Sequence, residues 1–160
     1  IIFMSIFAIA DLHLAIGQDK PMDIFGKNWL NHEEKIKKNW IKQVKAEDTV
    51  LVPGDFSWGM TLDEIYCDFK YLSNLPGKKI LLKGNHDYWW TSLKKMREYL
   101  EINDFKNIDF LYNNSYLIEN TIVAGTRGWS EQEERAEKIL RRENMRLKNS
   151  IKDRNFKIWR

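Results

Sequence analysis

The sequence sets an amide, an imidazole and a carboxylate side by side at Asn85, His86 and Asp87, just after the apolar Ile80-Leu81-Leu82. Such groups are costly to order and build a poor core, so the stretch is either a solvated turn or a chemical site. Two other polar clusters stand in the same relation to an apolar run. Asp11-Leu12-His13 follows residues 3–10, and Pro53-Gly54-Asp55 follows Thr49-Val50-Leu51-Val52. Taken singly, Asp-x-His and Gly-Asp are ordinary turn sequences, and Gly-Asn-His-Asp fits a type I turn. All three in this order, each closing an apolar strand, make a motif in its structural context.

The residue types specify the chemistry. Carboxylate, imidazole and amide oxygen are donors that hard or borderline divalent cations take. Asp11 and His13, two positions apart where a strand gives way to its loop, can turn to one ion. Asp55 can bridge two ions through its two oxygens, and Asn85 offers a neutral carbonyl to the second. Two metals about 3.5–4 Å apart clamp the attacking and leaving oxygens of an in-line displacement and acidify a bridging water. His86 then suits the role of general acid to a departing alkoxide, with Asp87 beside it to orient the ring and favour its protonated form.

These side chains converge only if the strands that carry them are parallel neighbours. The apolar run 3–10 is of the kind buried on both faces. A helix over residues 31–46 places Ile36, Trp40, Ile41 and Val44 on one face. After the strand at 49–52, Thr61 and Glu64 form a capping-box signature ahead of the stripe Leu62, Ile65, Phe69 and Leu72. The strand leading into Gly84 is followed by a helix marked by Leu93, Met96 and Leu100. This alternation implies right-handed crossovers and a parallel sheet, which binds ligands outside the carboxyl ends of its strands. Beyond Asn107 the period shortens to three strands separated by Asn113-Asn114 and Glu119-Asn120. Ser130 with Glu133 caps a last helix reaching about Lys152, and residues 156–160 open a further strand.

At 160 residues, without repeats or linker-like tracts, the chain reads as one domain over 1–160. Hydrophobic residues at 43% and charged residues at 31% exclude a disordered or fibrous class. A net charge of +3, with both signs interleaved, argues against a nucleic-acid partner. Residues 1–10 carry no basic leader pattern and are too short to span a bilayer, so no membrane role is expected. Met4 is the expected natural start. Cys67 stands alone, which fits a reducing, cytoplasmic compartment.

With "DLH" at 11–13, "PGD" at 53–55 and "GNHD" at 84–87, the sequence resembles the calcineurin-like metallophosphoesterases, and "GDFSWGM", "GNHDYWW" and "AGTRGW" resemble an uncharacterised bacterial branch of them. The resemblance implies a four-layered α/β/β/α sandwich and two divalent ions, Mn, Fe, Zn or Ni. It implies that Asp11 and His13 hold one ion, Asp55 bridges, Asn85 holds the other and His86 is the catalytic acid. The expected substrate is a phosphorylated small molecule or a nucleotide-like mono- or diester. The family supplies further ligands near its C-terminus, one His after a strand and then a Gly-His-x-His pair. This chain has His13, His32 and His86 as its three histidines, none after position 86. The expectation is therefore a C-terminally truncated member with an incomplete second sheet, retaining at most one ion. The rival reading is an inactive fragment or binding module that keeps the first half of the fold.

Arg127, on the Gly-flanked loop of "GTRGW", either grips a phosphate bidentately or makes a surface ion pair. Trp58, Trp89, Trp90 and Trp129 lie beyond strand ends, where they line a substrate wall or pack loops onto the core, the latter expected for at least half. His32 is read as a polar residue of a first helical turn, with substitution as a metal ligand the alternative. The Lys-rich face of residues 35–45 is read as solvated. The long connection "PMDIFGKNW" is a candidate lid or substrate loop.

Overall fold

The computed structural model describes residues 4–129, 135–152 and 157–158. Four strands, β1 (Ile6–Ala8), β2 (Thr49–Val52), β3 (Lys78–Leu81) and β4 (Ile108–Phe110), form a parallel sheet in the order β1-β2-β3-β4. The crossovers contain α1 (His32–Gln43), α2 (Tyr66–Ser73) and α3 (Leu93–Ile102). A second sheet pairs β5 (Ser115–Ile118) antiparallel with β6 (Thr121–Ala124) and parallel with β7 (Lys157–Ile158), with α4 (Ala136–Lys152) between β6 and β7 in sequence.

The period of two along the strands sorts the core into two layers. Val50, Val52, Leu81 and Phe110 point to one side and pack with Trp40, Phe69, Leu72, Met96 and Leu100 of the helices. Leu51, Ile80 and Leu82 point to the other side and meet Tyr116 and Ile118 of β5. Helix α4 packs against β6, and Ser150 Oγ both accepts from Gly125 N (3.0 Å) and donates to Asn114 O (2.6 Å). The helix, sheet, sheet, helix sequence of contacts is that of the expected α/β/β/α sandwich.

Four expectations shift. Strand β1 is not buried on both faces: it pairs with β2 alone among the described residues and leaves Ile6 38% exposed. Ile41 is 56% exposed, because Trp40 anchors the face of α1 through Nε1–H···O=C of Pro76 (2.9 Å) and the next residue is rotated ~100° away. The Thr61–Glu64 cap closes a separate turn. Thr61 Oγ1 accepts from Glu64 N (3.3 Å), Glu64 Oε2 accepts from Met60 N (2.9 Å), and α2 begins only at Tyr66. Strand β4 joins the parallel sheet, leaving β5 and β6 to form the hairpin. Both anticipated turns are real, with Asn113 and Glu119 at positive φ (63° and 50°). The cap at Ser130 and Glu133, and residues 1–3, lie outside the described residues.

Candidate metal centre

The loops that leave β1, β2 and β3 are stitched together by backbone. Asp11 N donates to Gly54 O (3.1 Å), His13 N to Asp55 O (3.0 Å) and Leu14 N to Phe56 O (2.9 Å), so the first loop pairs along the second. The third loop joins through the fully buried Asp87. Its carboxylate accepts from Asp55 N (2.9 Å), Phe56 N (2.9 Å), Gly84 N (2.7 Å) and Trp89 Nε1 (3.0 Å). The loops approach so closely that a Cβ on Gly84 would lie 2.0 Å from Asp55 Oδ1. One on Gly54, at φ +112°, would lie 2.7 Å from Gly84 Cα. The glycines before Asp55 and Asn85 are therefore a requirement of contact, and Gly54 also one of turning.

This packing brings the donors together, with Asp55 buried and Asp11 exposed. Asp11, His13 and Asp55 all take the left-handed conformation (φ 57°, 44° and 50°), uncommon outside glycine and sustained only where neighbours impose it. One ligand atom of each lies within 4.8 Å of the others. His13 Nε2 stands 3.6 Å from Asp11 Oδ1 and 3.9 Å from Asp55 Oδ2. Burial pushes the His13 pKa down, against the pull of Asp55 and Asp11, which favours the neutral imidazole with a lone pair to give. Burial works against ionisation of Asp55, but hydrogen bonds from the His86 ring and backbone outweigh it and hold its pKa below the ordinary carboxylate range. Two carboxylates and an imidazole converging in this way fit a divalent cation. Trp58 stacks on the His13 ring (4.9 Å, 25°) and Trp29 meets it edge-on (6.0 Å).

Asn85 lines the same cavity of about 290 Å³ as Asp11, Asp55 and Arg127. His86 sits beside it, but the orientation expected from Asp87 is corrected. The His86 Nδ1 pairs with Asp55 Oδ2 (2.9 Å) and its backbone N–H with Asp55 Oδ1 (3.0 Å). Asp87 cannot serve that ring, because its oxygens already receive the loop amides. Arg127 is not a surface ion pair: its side chain is 10% exposed, stacks on Trp129 (4.5 Å) and approaches Glu143 at 3.6 Å. His32 lies behind the centre, its Nε2 3.1 Å from Leu12 O, and does not join the donor group. Trp89 and Trp90 pack into the core, whereas Trp58 and Trp129 border the site. In the long connection, Met22 Sδ accepts from Trp58 Nε1 (3.0 Å), while Ile24 and Phe25 stay exposed.

Two residues escaped the sequence reading. Lys83 lines the cavity, and its only signal was adjacency to Gly84. Burial and then the Arg127 charge push its amine below the ordinary range. Asp68, fully buried on α2, accepts from Ile16 N (2.8 Å) and from Ser57 Oγ, bracing the first two loops from behind. An acid beside Phe69 in an apolar stripe was the available sign.

No helix among the described residues is long and apolar enough to cross a membrane. The "Gene 66 protein" of Mycobacterium phage L5 is 36% identical over 80 residues, 49% of this chain and 37% of the phage protein. Its counterpart in phage D29 is 34% identical over 85 residues, 52% of this chain and 40% of that protein. The matched region thus spans well under half the length of either relative. The crystal structure of the Aquifex aeolicus protein of unknown function AQ665 superposes with a TM-score of 0.51 at 24% identity, over 89% of this chain and 70% of that one, a likeness of fold. The calcineurin-like phosphoesterase profile matches residues 4–159, from before the first donor loop into the last strand, and with a divalent-cation donor set at the sheet edge where those loops meet, the chain belongs to the calcineurin-like phosphoesterase family.

Proposed function

We propose that this centre hydrolyses phosphate mono- or diesters of small molecules. The observation that carries the reading is the convergence of Asp11, His13 and Asp55 within 4.8 Å, with the His86 ring hydrogen-bonded to the same Asp55. Asp11, His13 and Asp55 would hold one divalent ion, and Asp55 with Asn85 a second, of the Mn, Fe, Zn or Ni class. Metal bound there supplies an acidified water and charge to stabilise the displaced oxygens. The chain's own residues do the rest. His86, partly exposed at the cavity and tethered through Nδ1, presents Nε2 as the site from which a proton passes to the leaving oxygen. Asp55 holds the orientation of that ring, and Asp87 keeps Asp55 in place through its backbone N–H. Arg127 supplies an anion-binding side chain lining the same cavity.

Asp11, His13 and Asp55 make the stronger position; Asp55 and Asn85 alone are a poor set for an ion that must shed water. Titration calorimetry should show one tight Mn²⁺ per chain, lost in Asp55→Asn, alongside feeble hydrolysis of an aryl phosphate that Asp55→Asn abolishes. Tight metal binding with no turnover for any ester would favour a binding module instead. Failure of Asp55→Asn to weaken Mn²⁺ would overturn the site.

A further inference from the structure

The cavity lined by the candidate donors Asp11, Asp55 and Asn85 is lined also by Lys83 and Arg127. Arg127 lies next to Glu143, yet Glu143 is already occupied. It accepts from Arg146 Nη1 (2.7 Å), Arg142 Nε (3.2 Å) and Thr126 Oγ1 (2.5 Å). Arg127 Nε is left 3.6 Å away, buried and without a hydrogen-bond partner among the described residues. Lys83 makes no ion pair among them either. Three arginines, Arg127, Arg142 and Arg146, thus share a single carboxylate, and Arg127, the one left without a hydrogen bond to it, borders the cavity together with Lys83. Buried, unpaired charge is expensive, and a protein keeps it where an anion is to be bound.

The volume limits the ligand. At about 290 Å³ the cavity lies at the lower end of small-molecule sites, roughly 300–1,000 Å³. It has room for a reacting phosphate and one further small charged group. We propose that Lys83 and Arg127 form an anion subsite adjoining the metal centre, and that the substrate is a compact phosphate ester bearing a second anionic group, phosphate or carboxylate, on its non-reacting end. The inference rests on the phosphoesterase reading for the identity of the first phosphate.

The test is calorimetry on the full chain, with and without Mn²⁺, using propyl phosphate, 1,3-propanediol bisphosphate and the phosphate ester of 3-hydroxypropanoate. At least one probe with a second anionic group should bind tenfold or more tighter than propyl phosphate, and the tighter of the two names the second group. Lys83→Met should remove most of that advantage, weakening the two-group probes more than propyl phosphate, and Arg127→Lys should keep more of it than Arg127→Met. Thermal melts of each variant separate lost binding from lost folding. Equal affinity for all three probes would overturn the subsite, as would a Lys83→Met variant that weakens probes with one and with two anionic groups alike. A preference for a second anionic group that persists in a chain unable to bind Mn²⁺ or cleave an aryl phosphate would support the subsite and sink the phosphoesterase reading, so the two fail separately.

Discussion

Asp55 has two carboxylate oxygens and three partners to satisfy, the His86 ring, the His86 backbone and the neighbouring His13. A cation at this position would compete with the His86 tether for the same oxygens, so the candidate donor set and the proposed acid are linked through one side chain. His86→Ala should leave Mn²⁺ affinity within a few-fold of the parent and lower turnover by 10²-fold or more, chiefly for esters with poor leaving groups. A leaving-group series measured in both proteins checks this, and equal losses for good and poor leaving groups would refute it. Asp87 works differently. Its Asn replacement keeps the shape but turns one acceptor into a donor facing buried amides. The expected cost is about 2–4 kcal/mol in urea unfolding, together with weakened Mn²⁺ binding although Asp87 touches no ion. A stable Asp87→Asn with normal Mn²⁺ affinity would return Asp87 to the role of a spectator.

The strand-end loops show what sequence spacing could and could not reveal about the elements. Three clusters closing three apolar runs were legible because parallel strands deliver their ends to one edge whatever the loops do. The partner of His86 was not legible, since adjacency in sequence suggested Asp87 and the turn swings that carboxylate inward. The edge exposure of β1 was hidden for a related reason: Ile6 is apolar whether or not a neighbour covers it. Nor did spacing reveal Lys83, whose importance depends on Arg127 arriving from the loop after β6. At this scale the close approach of the loops is the vulnerable feature. Gly84→Ala brings a methyl within 2.3 Å of Asp55 N, backbone that cannot swing aside. We expect it to destabilise by roughly 3 kcal/mol or more and to abolish tight Mn²⁺ binding, read by melting and titration. Gly128→Ala, where a Cβ meets nothing within 4 Å, is the matched control and should be near neutral.

For the molecule as a whole, two buried ionisable groups outside the donor set shape the dependence of stability on pH. Burial raises Asp68 to about 6 from 3.8, so the folded chain holds that proton more tightly. Its contribution is full below the unfolded value and is lost as pH rises through 6. Burial lowers Lys79 to about 7 from 10.5, so folding penalises the ammonium fully below 7 and is relieved as pH climbs toward 10.5. Together they predict falling stability from pH 4 to 6 and rising stability above 7. Asp68→Asn should flatten the acid limb and Lys79→Met the alkaline one in urea titrations at fixed ionic strength; slopes unchanged in both variants would show that other groups govern the profile. The second sheet presents β6 as an edge among the described residues, with Ile122 52% exposed. Sedimentation should therefore detect self-association that Ile122→Lys suppresses.

The metal donors all come from loops of the first sheet, bound to one another by backbone hydrogen bonds, whereas Arg127 follows β6 of the second. Lys83, after β3, and Arg127, after β6, hence reach one cavity from the two sheets. A small displacement of the second sheet would part that pair and leave the donor cluster intact. A cation held by the donors and an anion gripped by that pair would thereby depend on different halves of the molecule, and either could leave without the other.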